Sequence, residues 1–351
     1  MTSTLVSRLE RNTRRALRPP VSSLPPPAAS ISPRTRIARA TGVAALVILL
    51  AFLPSALAWA GPAFAVDYGL VIAMAVLSIS VLGWIGEISL APVAQMGFGV
   101  VAVNWCQNHD VPFGFILPLV ALSSIPISLL LAAFTLRLKG VSFAIATLAF
   151  AHMAQKTIFQ THLGTYGAFG GSGSNSVVRP SFVATDRTFY YLLLASLLFM
   201  MAICYAVNRS RIGVRLTALR ESEMAFSVLG HPPAAYRLFT ICLSGAIATV
   251  AGAYFVFLQG LVPSYYFTPG LAVLYFGFAV AGGLGSIGGA VAAGGVFGAL
   301  PRYFETLSEG RFVAYDQFFI GLVVFAVMLW LPGGLGGMAR RAWHRVEGTA
   351  R

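Results

Sequence analysis

RLFTICLSGAIATVAGAYFVFL, residues 237–258, carries one charge, Arg237 at its first position, and then 21 residues without another. Wound as an α-helix at about 1.5 Å per residue, this run reaches about 30 Å, the thickness of a bilayer's hydrocarbon core. Similar runs recur along the chain. They lie near 41–58, 68–84, 90–105, 113–136, 140–160, 189–207, 271–285, 287–304 and 314–331. The sequence therefore predicts an all-α fold, a polytopic α-helical membrane protein of about ten spans. Three runs are short, which leaves eight or nine open.

Composition agrees. Of 351 residues, 57% are hydrophobic and 10% charged, against about 25% charged in a soluble domain. Mean hydropathy is +0.79. A soluble globule has too little polar skin to hide so much apolar surface. A soluble enzyme, a disordered regulator and a collagen-like fibre are excluded.

The net charge of +13 is placed rather than spread: residues 1–39 hold eight arginines and one glutamate. Basic residues also cluster in alternate gaps, at Arg137 and Lys139, at Arg209, Arg211, Arg215, Arg220 and Arg237, and at Arg340, Arg341 and Arg345. Cations gather on the cytoplasmic side of membrane proteins, so both termini are expected inside. Residues 1–40 read as a disordered basic tail against anionic lipid, 41–338 as the transmembrane domain and 339–351 as a second basic tail. Within the domain, 208–236 is expected inside and 161–188 outside. A rival reading makes 41–58 the core of a cleaved signal peptide, cut after Ala60 or Ala65. No aromatic-interleaved basic patch points to nucleic acid. Cys106, Cys204 and Cys242 form no C-x-x-C pair and read as small buried hydrophobes.

Two runs are interrupted, by GWIGEISLAP at 83–92 and by GGLGSIGG at 282–289. Broken backbone at membrane depth survives only beside protein or a watery cavity, and paired breaks mark substrate paths in transporters. Gly86, Glu87, Ser89, Gly283, Gly285 and Ser286 are therefore candidate path residues, their free amides suited to an anionic group. Glu87 either faces an ammonium group or sits at the inner interface. The competing reading is helix packing, since Gly285 and Gly289, or Gly294 and Gly298, have small-xxx-small spacing. GLGSIG lacks the strand and the acidic residue of a dinucleotide site. With no G-x-x-x-x-G-K-[ST] anywhere, ATP-driven work would need another subunit to bind the nucleotide. Mid-span His152 is expected to be packed rather than a proton relay, and Lys156 to snorkel outward.

The loop 208–236 predicts an amphipathic helix of three to four turns ending near Leu229, stopped by Gly230 and Pro232-Pro233. Its apolar face lies either on lipid or in a groove of a cytoplasmic protein. Glu221 and Glu223 favour protein over anionic lipid.

RLKGVSFAIATLAFA at 137–151 resembles the signature of LivM-type permeases, the branched-chain amino-acid branch of bacterial ABC importers. RIGVRLTALRESEMAFSVLG at 211–230 is similar to that family's R-x-G-x-x-x-x-A-x-R-x-x-E-x-A-A-x-x-x-G loop. AGAYFVFLQGLVPSYYF at 251–267, GGLGSIGG and LPGGLGG at 331–337 resemble further family stretches, in the family's order. The resemblance implies a bacterial inner-membrane permease subunit without catalytic residues. Its partners would be a second permease, two cytoplasmic ATPases that hold ATP and Mg, and an extracytoplasmic solute-binding protein, with lipid around it. It makes 214–230 the coupling helix, with Arg220, Glu221, Glu223, Ala225, Phe226, Leu229 and Gly230 at the docking positions. ATP-driven closure of the ATPases would then rock the spans between outward and inward openings.

Two stretches depart from the family. Its usual G-Q-x-S-L-G-H-A-A-F is GEISLAPVAQ at 86–95, and its Gly-rich outer loop is the longer GTYGAFGGSGSNS at 164–176. Urea, short amides or another small carboxylate therefore stand beside branched-chain amino acids as cargo. An ion-coupled transporter would want paired intramembrane acids, an intramembrane enzyme converging His, Asp or Glu, and a passive channel no docking helix; these patterns do not match the chain.

Overall fold

The computed structural model describes residues 62–160, 177, 179, 185–262, 264–307 and 321. The expected tails at 1–40 and 339–351, the runs at 41–58 and 314–331 and most of the outer loop at 161–188 lie outside the described residues. Every regular element described is helical. In chain order these are α1 (Pro62–Leu82), α2 (Ala91–Asn108), α3 (Phe113–Thr135), α4 (Val141–Met153), α5 (Asp186–Arg209), α6 (Arg211–Glu221), α7 (Glu223–Val228), α8 (Pro233–Gln259), α9 (Pro269–Gly282) and α10 (Ile287–Leu307). A 3₁₀ turn at Gly83–Ile85 follows α1, and α4 runs on as a π-helix through Ala154–Phe159. Eight of the expected apolar runs thus become helices, and among the described residues four helices are long and apolar enough to cross a membrane: α1 with its 3₁₀ turn, α3, α5 and α8.

The helix starts follow local chemistry. Pro62, Pro92, Pro233 and Pro269 each fall in a first turn, where a missing N–H removes no helical bond. The stops use glycine: Gly86 (φ 75°) after the 3₁₀ turn and Gly283 (φ 94°) after α9 both sit where a side chain would strain the backbone.

Packing sorts helices of similar hydropathy into two roles. α1 and α8 are central, whereas α3 and α5 turn most of their surface outward, with Phe115, Leu122, Phe134 and Phe199 exposed. α1 rests chiefly on α10 and α8, and α8 chiefly on α2, α3 and α1. Close approach depends on absent side chains. A Cβ on Gly252 or Gly99 would overlap a backbone carbonyl of the facing helix, at Met96 and Thr249 respectively. A Cβ on Gly294 would lie 2.7 Å from Ala73 Cα, and one on Gly298 would lie 2.8 Å from Ile72 Cβ. The Gly294–Gly298 pair is therefore a helix-packing device. His152 departs from expectation: its ring is exposed on the surface of α4 rather than packed, because the face of α4 carrying it meets no other described helix.

Candidate functional site

The two interrupted segments dock on each other at one end of the bundle. Trp84 Nε1 donates to Gly285 O at 3.1 Å, and Gly285 N donates to Ser80 Oγ at 3.0 Å. A Cβ on Gly83 would fall 2.7 Å from Gly285 N. Gly285, at φ 82°, makes the turn that brings the second break against the first. The amides here are largely occupied by protein. Ser89 Oγ accepts from Ala91 N at 3.3 Å, Thr147 Oγ1 from Leu90 N at 3.0 Å and Ser286 Oγ from Gly289 N at 3.3 Å. Ser89 and Ser286 thus hold the first turns of α2 and α10.

The predicted helix over 214–230 is instead two helices. The chain bends at Ser222 (φ −158°, ψ 107°), whose Oγ accepts from Ala225 N at 3.3 Å and starts α7 afresh. A serine that caps the following turn competes with helix continuation, which periodicity alone does not register. α6 leans inward: Leu216 and Leu219 join Leu77, Val81, Trp84 and Ile85 in one apolar cluster. Arg220 Nη1 donates to Gly83 O at 3.2 Å, and its stem passes over Gly86.

α7 splits its residues between two surroundings. Phe226 is buried, its ring 5.3 Å from that of His231 and 5.2 Å from that of Tyr236. Met224, Val228 and Leu229 are 80%, 82% and 73% exposed, so a bare apolar face looks away from the bundle. Glu221, Ala225 and Gly230 are exposed beside it. Of the expected docking residues, Phe226 anchors α7 from within and Arg220 ties α6 to the first break.

Two residues that the sequence marked only as inside charges complete the site. Buried Arg237 lies 3.2 Å from Glu87 and 3.0 Å from Glu223, and Lys139 lies 2.5 Å from Glu223. Glu87 Oε2 also accepts from Gly140 N at 3.2 Å, so both oxygens of Glu87 have protein partners. Burial pushes the Glu87 carboxyl above its ordinary value, opposed by Arg237 and by the Gly140 N–H. The chain's scarcity of acid was the available signal: it has eleven acidic residues, and those in the gaps expected inside needed cations. An apolar cavity of about 600 Å³ opens between α2 and α3, lined by Phe98, Trp105, Leu119 and Leu122 among others. None of its lining residues belongs to either break. Among the described residues, no three His, Cys, Asp or Glu side chains gather to hold a metal.

Long apolar helices, two broken segments meeting at one end and a short helix with an uncovered apolar face mark an α-helical membrane protein. The chain belongs to the family described as branched-chain amino acid transport system / permease component, whose profile matches residues 62–328. It is similar to the high-affinity branched-chain amino acid transport system permease protein LivM of Salmonella typhimurium, with 26% identity over 87% of this chain and 78% of that protein. LivM of Escherichia coli is 25% identical over the same shares. No solved structure gives a significant match.

Proposed function

We propose that the chain is the membrane-spanning permease subunit of an ABC importer that carries branched-chain or related amino acids inward. ATP is hydrolysed on two separate cytoplasmic ATPases, a second permease completes the channel and a solute-binding protein delivers cargo from outside. The chain sits in the bacterial inner membrane with both termini cytoplasmic. One observation carries this reading: Met224 and Val228 on α7 and Leu229 just after it stand bare, at the end of the bundle where both breaks meet. An apolar helix face is a ready ligand for a groove in a protein partner.

The breaks, with Gly86, Glu87, Ser89, Gly283, Gly285 and Ser286, form the inner gate of the path. When α7 moves with its ATPase, the joint between Trp84 and Gly285 opens or closes. The cargo alternative, urea, a short amide or another small carboxylate, draws on the replacement of the family's Gly-His pair by Ala91-Pro92 beside Glu87.

Affinity purification from native membranes tests the reading. ATPase subunits co-purify with the wild-type chain and are lost from a Met224→Ser/Leu229→Ser variant whose thermal midpoint is unchanged. Uptake of labelled leucine by the purified complex, challenged with urea and an aromatic acid and run with and without ATP, then assigns the cargo. Transport by the lone chain without hydrolysis would refute the proposal.

A further inference from the structure

Arg237 opens the long run on which the fold is read, yet it is 8% exposed. Its guanidinium is shared. Nη2 donates to Glu223 Oε2 at 3.0 Å and lies 3.2 Å from Glu87 Oε1, while Nη1 donates to Leu136 O at 3.2 Å. Four segments meet there: the break after α1, the loop between α3 and α4, the first residue of α7 and the N-terminal part of α8. The side chains of Arg237 and Glu87 are 10% and 8% exposed, whereas Lys139, the other cation on Glu223, is 64% exposed. Glu223 is itself 30% exposed, and of its two ion pairs the one to buried Arg237 is the less screened.

α7 needs such a link. The bend at Ser222 separates it from α6, which has its own tie to the break through Arg220 and Gly83. Of the six residues of α7, Phe226 alone is buried. A push on α7 therefore has two routes inward. Phe226 packs against the rings of His231 and Tyr236 and in the apolar cluster that holds Trp84 and Ile85, a contact with little directional preference. Glu223 pulls on Arg237, and a buried charge resists losing its partner. That second route ends on Glu87, inside the first break.

We infer that Arg237 is a positioning residue that makes the break at 86–90 follow α7, so that movement at the docking helix becomes movement of the gate. The inference rests on the reading of α7 as the docking helix. It assigns the buried carboxylate of Glu87 to transmission rather than to cargo.

The test uses the chain purified with its second permease and ATPases, reconstituted in proteoliposomes and supplied with the solute-binding protein. Arg237→Gln lowers uptake per ATP hydrolysed about tenfold, the size of an ordinary coupling between sites. Arg237→Lys keeps the charge but not the fork that serves two carboxylates and a carbonyl, and its ratio falls between. Arg237→Gln also leaves Glu87 buried and unpaired, so it melts early. Arg237→Gln/Glu87→Gln removes both charges and recovers the thermal midpoint while remaining uncoupled. Hydrogen exchange over 223–230 is slower in Glu87→Gln than in wild type, although Glu87 is far away in sequence, because Arg237 then keeps Glu223 as its one charged acceptor. A double variant that regains uptake per ATP together with its stability overturns the inference, and so does unchanged exchange over 223–230. Both of those results leave ATPase co-purification, and hence the docking reading, in place. Failure of the wild-type chain to bring down an ATPase overturns the docking reading and the inference together.

Discussion

Gly294→Ala measures how closely α10 rests on α1. The added Cβ would lie 2.7 Å from Ala73 Cα, 3.0 Å from Val76 Cβ and 3.1 Å from Ile72 O. Carbon atoms sit comfortably at about 3.5–4.0 Å, so the helices must part by about 1 Å. Ala73 Cα and Ile72 O belong to backbone and cannot swing aside. Overpacking of this kind costs about 1–3 kcal/mol, and a rigid backbone obstacle puts Gly294→Ala toward the upper end. Replacing a helical glycine by alanine returns about 1 kcal/mol of propensity. Gly295→Ala is the matched control: it lies on the same helix with nothing within 4 Å of its new Cβ, so it carries the propensity gain without the clash. The two variants should differ by about 2–3 kcal/mol in unfolding free energy. Cys106 and Cys204 are fully buried and Cys242 partly so, so in a Cys242→Ser background a thiol-reactive fluorogenic dye reads thermal unfolding in detergent or nanodiscs. Gly294→Ala melts several degrees below Gly295→Ala. Coincident melting curves would refute the argument that this crossing is set by the missing side chain.

Three further outcomes follow from the end of the bundle where the two breaks meet. Ser222→Ala removes the acceptor for Ala225 N and costs about 1 kcal/mol, seen as faster hydrogen exchange confined to α7; unchanged exchange there argues against the bend as a cap. Trp84→Phe keeps most of the ring but loses the bond to Gly285 O; a loss of about 1 kcal/mol lowers the thermal midpoint, and an unaltered midpoint denies the bond a role in joining the breaks. The third concerns pH. Burial raises the Glu87 carboxyl above its ordinary 4.5, so the folded chain holds that proton more tightly than the unfolded chain. The stability so contributed is complete below pH 4.5 and is lost as pH rises through the raised value. The thermal midpoint of wild type relative to Glu87→Gln therefore shifts in favour of wild type as pH falls toward 4.5. A shift in the opposite sense contradicts the dominance of burial.

The helices of the spans were legible because a bilayer accepts few solutions. A segment in hydrocarbon must satisfy its own backbone, so an uncharged run such as 238–258 has little choice but to coil. The charge bias put Lys139, Arg220 and Arg237 in gaps expected on one side. The structure brings Lys139, Arg220, Glu223 and Arg237 together with Glu87 and Gly83. The bend at Ser222 was not legible. Val214, Leu216, Leu219, Met224 and Phe226 continue one apolar pattern across it, and the choice between helix and cap turns on a single serine hydroxyl. Phe226 and Leu229 looked alike in the sequence; one is buried against Tyr236 and the other faces outward.

The sequence by itself determined that this chain is a bundle of apolar helices, where two of them break and which loops carry cation. It could not decide that α1 and α8 lie inside while α3 and α5 lie outside, because lipid and a helical core are equally apolar and hydropathy does not separate them. Nor could it pair Glu87 with Arg237 or set Trp84 on Gly285. Those contacts join positions far apart in the chain, and they exist only because glycines let particular helices approach closely enough for the ends to meet. Burial at that meeting point then makes each charge depend on its partner, a property of the folded arrangement that no single segment carries.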